Sequence, residues 1–180
     1  MPFAPGTFGT IFGVIIIAFI ALLPRFGFPQ EWLIPTYILV TISTCIKGFW
    51  SSELYAKHTG KKDPKEVVID EVAGMMISVL VAGLGYWLLY LWKEPVYHVL
   101  LAFSPIYLLI LFVLFRIFDI AKPLHVGWAD QNLKGGVGIM VDDIIAGIYA
   151  GITFILLLLL MVETGLMTQL VKIIYPDWVE

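Results

Sequence analysis

Long apolar runs separated by short polar stretches are the feature that most constrains the fold of this 180-residue chain. A helix that crosses a hydrocarbon core of about 30 Å needs about 20 consecutive apolar residues. Three runs approach that length, over residues 72–92, 96–115 and 144–162, and three are shorter, over 8–23, 32–46 and 166–175. Because a membrane segment must satisfy its own backbone polar groups, these runs predict helices. We expect residues 1–180 to form one all-α domain, a multi-pass membrane bundle of about four to six helices that includes short interfacial ones.

The distribution of basic residues predicts how this bundle is oriented. If the first five runs all cross the membrane, eight of the eleven Lys and Arg residues fall on one side. These are Lys47, Lys57, Lys61, Lys62, Lys65, Arg116, Lys122 and Lys134, whereas the other side holds Arg25, Lys93 and Lys172. Since the side richer in Lys and Arg faces the cytoplasm, we expect an inner-membrane protein with a cytoplasmic N-terminus.

Six carboxylates are expected on that same side, namely Asp70, Glu71, Asp119, Asp130, Asp142 and Asp143. Charged residues make up only 14% of the chain, and ionisable groups beside membrane segments are functional candidates. Four of the acids form two doublets of adjacent residues, at 70–71 and 142–143. We expect each doublet to begin a helix, and we expect the two helices to be parallel, with the doublets at the same membrane depth. An Ala-Gly pair follows each doublet and would let another helix approach closely.

A divalent cation would explain why adjacent carboxylates occur twice. Helix capping and the helix dipole favour one acid in a first turn, but neither requires a doublet, whose charges repel. Mg²⁺, with Mn²⁺ as the alternative, prefers such hard oxygen ligands. Because neighbouring helical residues are rotated by about 100°, only one acid of a doublet is expected to point at any single ion. Zinc is disfavoured since His58, His98 and His125 are widely separated.

Two glycine-rich stretches frame the acids, over residues 5–10 and 134–138. Such stretches can direct backbone N–H groups at a phosphate, with Lys134 as a point charge. Alternatively, their glycines serve only tight turns and helix packing. Together with the acids, the two stretches favour a site for phosphate plus metal.

Several other classes of function are disfavoured by composition. The net charge of −3 and the dispersed basic residues argue against a nucleic-acid partner, and nothing in the residues indicates a protein partner. Cys45, the single cysteine, excludes an intrachain disulfide. Two alternatives stay open: a small cation transporter that uses the acids, and a CDP-alcohol-type phosphotransferase, whose Asp-Gly-x-x-Ala-Arg signature is absent.

As a set, these motifs resemble the phosphatidylglycerophosphatase A family over roughly residues 4–150. The matching motifs are the Ala-Pro-Gly-Thr-Phe-Gly-Thr start at 4–10, Asp63-Pro64, the first doublet with its Ala-Gly at 70–74, the segment 115–123, Asp130, and the segment 134–147. The resemblance implies an all-helical, Mg²⁺-dependent lipid phosphatase. Its reaction would remove the terminal phosphate of phosphatidylglycerophosphate, drawn from the bilayer, to give phosphatidylglycerol and inorganic phosphate.

Under this hypothesis each motif residue receives a role at the cytoplasmic face. The doublets Asp70, Glu71, Asp142 and Asp143 would supply ligands to one or two Mg²⁺ ions. Asp119 or Asp130 would act as a third ligand or as general base. The phosphate charge would be neutralised by Lys134, Arg116 and Lys122. Finally, Thr7 and Thr10 would either hydrogen-bond the phosphate or cap the first helix.

Overall fold

The computed structural model describes residues 4–60, 66–92, 105–166 and 169 of the chain. All regular structure in this part is helical, which confirms the predicted all-α bundle. Its helices are α1 (Pro5–Leu22), α2 (Leu33–Thr59), α3 (Ile69–Trp92), α4 (Pro105–Ala121), α5 (His125–Asn132) and α6 (Gly135–Glu163), with two short 3₁₀ turns, Leu23–Phe26 and Gln30–Trp32, between α1 and α2.

Within the described ranges, four stretches are long and apolar enough to cross a bilayer, as expected of a membrane protein. They are Pro5–Phe26, Gln30–Thr59, Ile69–Leu88 and Gly135–Glu163. Residues 96–104 of the predicted run 96–115 lie outside the described residues, and residues 105–115 form the first part of α4. Nearly all of the predicted run 166–175 also lies outside them.

Helix α2 is longer than the sequence predicted. We expected the polar stretch 51–65 to interrupt the helix, but α2 continues to Thr59 and ends at Gly60, whose φ of +68° closes it in a left-handed cap. Small residues recur four apart along one side, and Gly48, Ser52 and Ala56 are buried there. This spacing keeps the stretch helical because it lets α2 pack closely beside α6.

The two acid doublets begin their helices differently. Asp70 and Glu71 lie in the first turn of α3, as expected. Helix α6, however, begins at Gly135, so Asp142 and Asp143 lie two turns inside it and its first turn holds no acid. The expectation that this doublet starts a helix is therefore wrong, because the glycine-rich stretch before it is itself helical. Capping cannot account for these two acids.

A close crossing of α3 and α6 forms the centre of the bundle. The crossing occurs at the predicted Ala-Gly pairs, where Gly147 lies directly against the backbone of Gly74. A Cβ atom on Gly74 would lie 2.7 Å from the carbonyl oxygen of Asp143. Because each glycine follows its doublet by about one turn, the crossing brings the doublets together at one depth.

The remaining helices enclose this crossing at the same end. Helix α1 packs on α3 through Gly9 and Gly13. The buried side chains of Leu111 and Phe115 fix α4 in the core and bring its last turn to the doublets. Helix α5 packs on α6 and closes this end of the bundle.

Candidate active site

All six predicted carboxylates line one cavity of about 130 Å³ at this end of the bundle. The other lining residues are Pro5, Val67, Lys122, Leu133, Gly138 and Ile139. Four helices therefore contribute: α3 and α6 provide the doublets, α4 provides Asp119, and α5 provides Asp130. Acids that are up to 73 residues apart in the chain thus meet in one place, as the sequence predicted.

Asp70, Glu71 and Asp143 form the tightest group, which we call the acid trio. One carboxylate oxygen from each lies within 4.8 Å of the others. Asp70 and Asp143 are buried, with 9% and 4% of their surface exposed. Both acids of the first doublet point at the same place, so the expectation that only one would do so is wrong.

Helix α1 explains this convergence. A Cβ atom on Gly6 would lie 2.5 Å from Oε1 of Glu71, and one on Gly9 would lie 3.1 Å from its Oε2. The absence of side chains at these two glycines leaves just enough room for Glu71 to turn toward Asp70 along the surface of α1. The glutamate side chain is long enough to reach Asp70 despite the rotation of about 100° between consecutive helical residues.

Asp142 faces a different partner. The Lys122 ammonium donates hydrogen bonds to Oδ2 of Asp142 at 2.8 Å and to Oδ1 of Asp130 at 2.7 Å. Burial alone would lower the pKa of Lys122, but these two carboxylates raise it above its ordinary value. Lys122 therefore stays charged at any physiological pH.

The turn that carries Lys122 has an unusual backbone. Its φ is +44° and that of Leu124 is +48°, in the left-handed region that non-glycine residues seldom adopt. Gly127 of α5 packs against this turn, since a Cβ atom there would lie 2.5 Å from the carbonyl oxygen of Lys122. Lys122 therefore lines the cavity from a strained turn, and strained residues often cluster at functional sites.

The second basic residue of this end, Arg116, forms an ion pair with Asp119 one turn later in α4. Both side chains are mostly buried, with 18% and 14% exposed. The guanidinium also approaches the acid trio, because its Nη1 would lie 3.0 Å from a Cβ atom on Gly6. Asp119 thus lines the cavity with its negative charge already paired with Arg116.

Four predicted phosphate-binding residues are not in the cavity lining: Arg116, which pairs with the lining residue Asp119, and Thr7, Thr10 and Lys134. Thr10 is fully buried and donates its hydroxyl hydrogen to the carbonyl oxygen of Gly6 at 2.8 Å, and Thr7 lies half-buried in the first turn of α1. Lys134 is exposed and immediately precedes α6. The cavity lining includes none of these three, and their phosphate role stays a prediction.

A family model described as phosphatidylglycerophosphatase A matches residues 1–158 of this chain. The chain belongs to the phosphatidylglycerophosphatase A family. This membership confirms the resemblance seen in the motifs and the predicted enzyme class, a phosphatase. The cation-transporter and phosphotransferase alternatives gain no support from it.

Two of the following three relatives carry the name of this family. A phosphatidylglycerophosphatase A of Escherichia coli K12 is 31% identical over 154 residues, covering 85% of this chain and 74% of the relative. The Haemophilus influenzae protein of the same name is 30% identical over 147 residues, covering 82% and 74%. A Bacteroides thetaiotaomicron protein, provisionally named a phosphatidylinositol-3-phosphatase, is 38% identical over 153 residues, covering 83% and 80%. No solved structure matches the chain.

In this member of the phosphatidylglycerophosphatase A family, the donor set suits a divalent cation. Asp70 Oδ1, Glu71 Oε2 and Asp142 Oδ1 are buried and accept no hydrogen bond from the described residues. Buried polar atoms without partners are costly, so such oxygens are expected to serve a ligand. Three clustered carboxylates with two such oxygens provide the hard donors that Mg²⁺ and Mn²⁺ prefer.

Sequence reasoning missed Glu53, which supports the site from α2. Its Oε2 accepts a hydrogen bond from the Gly136 backbone N–H at 2.6 Å, and Lys57 pairs with its other oxygen at 3.0 Å. The N-cap of α6 is Lys134, which makes no capping hydrogen bond with its side chain. A helix start without a capping side chain was the available signal that an acceptor from elsewhere is needed.

Proposed function

We propose that this chain is a Mg²⁺-dependent hydrolase that converts phosphatidylglycerophosphate to phosphatidylglycerol and inorganic phosphate. The observation that carries the proposal is the acid trio, whose partnerless buried oxygens share a cavity with the Lys122 ammonium at one end of a membrane bundle. The names of the Escherichia coli and Haemophilus influenzae relatives support the choice of substrate.

The trio residues Asp70, Glu71 and Asp143 would hold the cation. A bound Mg²⁺ supplies Lewis-acid stabilisation of phosphoryl oxygens and makes a neighbouring water more acidic. Lys122 and Arg116 add positive charge around a phosphate in the cavity. Asp130, whose side chain is 38% exposed, can pass a proton to solvent more readily than Asp119, which is 14% exposed and paired with Arg116.

We place the reaction at the cytoplasmic face of the inner membrane. The cavity lies at the end of the bundle that carries most of the described basic residues, including Lys57, Lys122 and Lys134, and the positive-inside rule assigns that end to the cytoplasm. A lipid anchored by its acyl chains presents a terminal phosphate in the headgroup layer, at the depth where helix ends meet water. The position of the cavity therefore matches the position of such a phosphate.

A second candidate substrate is phosphatidylinositol 3-phosphate, favoured by the Bacteroides relative at 38% identity. It also carries a phosphomonoester on a lipid headgroup, so the same residues would act on it. The two candidates differ only in the alcohol that leaves.

The test is phosphate release by purified protein in detergent micelles from each lipid, with Mg²⁺ and with a chelator. We expect metal-dependent release from phosphatidylglycerophosphate, reduced by at least about 100-fold in Asp143→Asn. Glu31→Gln, an exposed acid at the opposite end of α2, serves as the matched control and should retain full activity. Release from the inositol lipid alone would select the second candidate. Release that persists in chelator would refute the metal, and no release from either lipid would refute the proposed function.

A further inference from the structure

The Lys122 ammonium occupies the position between two carboxylates that a bridging cation would need. Its Nζ lies 2.7 Å from Asp130 Oδ1 and 2.8 Å from Asp142 Oδ2. The acid trio lies on the other side of the same cavity, and Asp142 and Asp143 are consecutive residues of α6. The cavity therefore has two anionic halves, and the Lys122 ammonium is bound in one of them.

In the trio half the Arg116 guanidinium approaches Glu71, but its ion pair is with Asp119. Asp70 Oδ1 and Glu71 Oε2 are buried, and neither oxygen has a hydrogen-bond partner among the described residues. Asp70 is nine-tenths buried, so water cannot readily solvate its charge. The trio thus has two buried oxygens without a partner, whereas in the other half Lys122 binds Oδ2 of Asp142 and only its Oδ1 is without one among the described residues.

The position of Lys122 is set by the fold. Its side chain is only 31% exposed, and its backbone has the left-handed φ of +44° that glycine adopts more readily than lysine. Gly127 holds that backbone against α5. A lysine at such a position is a built feature of the cavity, because the turn by itself would favour glycine.

We propose that the cavity binds one divalent cation, at Asp70, Glu71 and Asp143, and that the Lys122 ammonium takes the place of a second cation between Asp130 and Asp142. This inference rests on the proposed metal-dependent function and defines its stoichiometry. Two-metal phosphatases use their second ion to neutralise charge on the reacting phosphate, and here Lys122 supplies that charge. Asp142, predicted from the sequence as a metal ligand, binds Lys122 instead.

The experiment is a titration of the purified, detergent-solubilised protein with Mn²⁺, without substrate, in which electron paramagnetic resonance measures free Mn²⁺. We expect the wild-type protein to bind one Mn²⁺. Lys122→Met removes the ammonium between Asp130 and Asp142 and should bind two, whereas Lys122→Arg keeps the charge and should bind one. Lys57→Met is the matched control, since Lys57 also pairs with a carboxylate, at 3.0 Å, but lies outside the cavity lining. It should bind one.

Two ions in the wild-type protein would overturn the inference, because an ion would then displace Lys122. One ion in Lys122→Met, with native thermal unfolding, would overturn it as well. If Lys122→Met does not fold, Asp142→Asn and Asp143→Asn decide: the first should weaken Mn²⁺ binding by no more than about tenfold and the second by more than about 100-fold, and equal weakening refutes the proposal. No Mn²⁺ bound by the wild-type protein is the separate outcome that refutes the proposed metal site itself.

Discussion

Alanine at Gly74 should damage both the stability and the activity of this protein. The added Cβ atom would lie 2.7 Å from the Asp143 carbonyl oxygen, about 0.7 Å short of the 3.4 Å at which ordinary contact begins. That oxygen belongs to the backbone of α6, so it cannot rotate away, and the helices must separate. Overpacking of this kind costs about 1–3 kcal/mol, against which the better helix propensity of alanine returns up to about 1 kcal/mol.

The separation acts directly on the acid trio. Asp70 and Glu71 precede Gly74 by about one turn of α3, and Asp143 is the residue whose backbone is displaced. A misplacement of about 1 Å in a catalytic constellation can cost about 100-fold in rate. We therefore expect kcat/KM for phosphate release to fall by about 10- to 100-fold in Gly74→Ala.

Gly83→Ala on the same helix is the matched control. A Cβ atom there would meet nothing within 4 Å, so this variant should unfold with a free energy higher by up to about 1 kcal/mol and keep full activity. Thermal unfolding by circular dichroism in detergent and phosphate release from the lipid provide the two readouts. If Gly74→Ala matched Gly83→Ala in both, the close crossing would not determine the geometry of the trio.

Three further predictions follow from single contacts. Lys122→Gly should unfold with a free energy about 1 kcal/mol higher than Lys122→Ala in denaturation experiments, because glycine tolerates the left-handed turn; equal values would refute the strain. Leu124→Asp, at an 80% exposed residue two positions after the cavity-lining Lys122, should slow hydrolysis of lipid in vesicles about fivefold but not of a short-chain soluble phosphomonoester, whereas Phe26→Asp, 81% exposed in the 3₁₀ turn that follows α1, should not distinguish the two. Glu53→Ala removes the acceptor of the Gly136 N–H and should lower the Tm in the same melting assay, and an unchanged Tm would contradict its capping role.

The meeting of the acids in one cavity was predictable from the sequence because charge is rare in this chain. With few acids in an apolar sequence, the alternation of membrane segments alone assigns Asp70, Asp119 and Asp142 to one side. The Ala-Gly pairs after the doublets likewise predicted a close approach of another helix, and the structure shows that α3 and α6 approach each other there.

Other features of the site could not be predicted, because they depend on contacts between distant parts of the chain that no local sequence pattern shows. The convergence of Asp70 and Glu71 results from the space that Gly6 and Gly9 leave on α1, more than 60 residues earlier in the chain. The pairing of Asp142 with Lys122 requires a left-handed turn at a residue that seldom adopts one. The sequence did not predict the polar C-terminal end of α2. An apolar run indicates only the part of a helix that lies in lipid, and α2 extends beyond its apolar run.

The hydrogen bond between Glu53 and Gly136 connects residues 83 positions apart, and this has a consequence for assembly. A chain that inserts from its N-terminus places α2 in the membrane well before α6 is synthesised. The Glu53 carboxylate is therefore already in place when α6 inserts. It can accept the hydrogen bond of the Gly136 N–H and so fix the position of α6 along α2. The trio, which needs Asp143 from that same helix, is completed only at this last step. A nascent chain thus has no complete acid trio, and no complete form of the proposed cation site, until the bundle has closed.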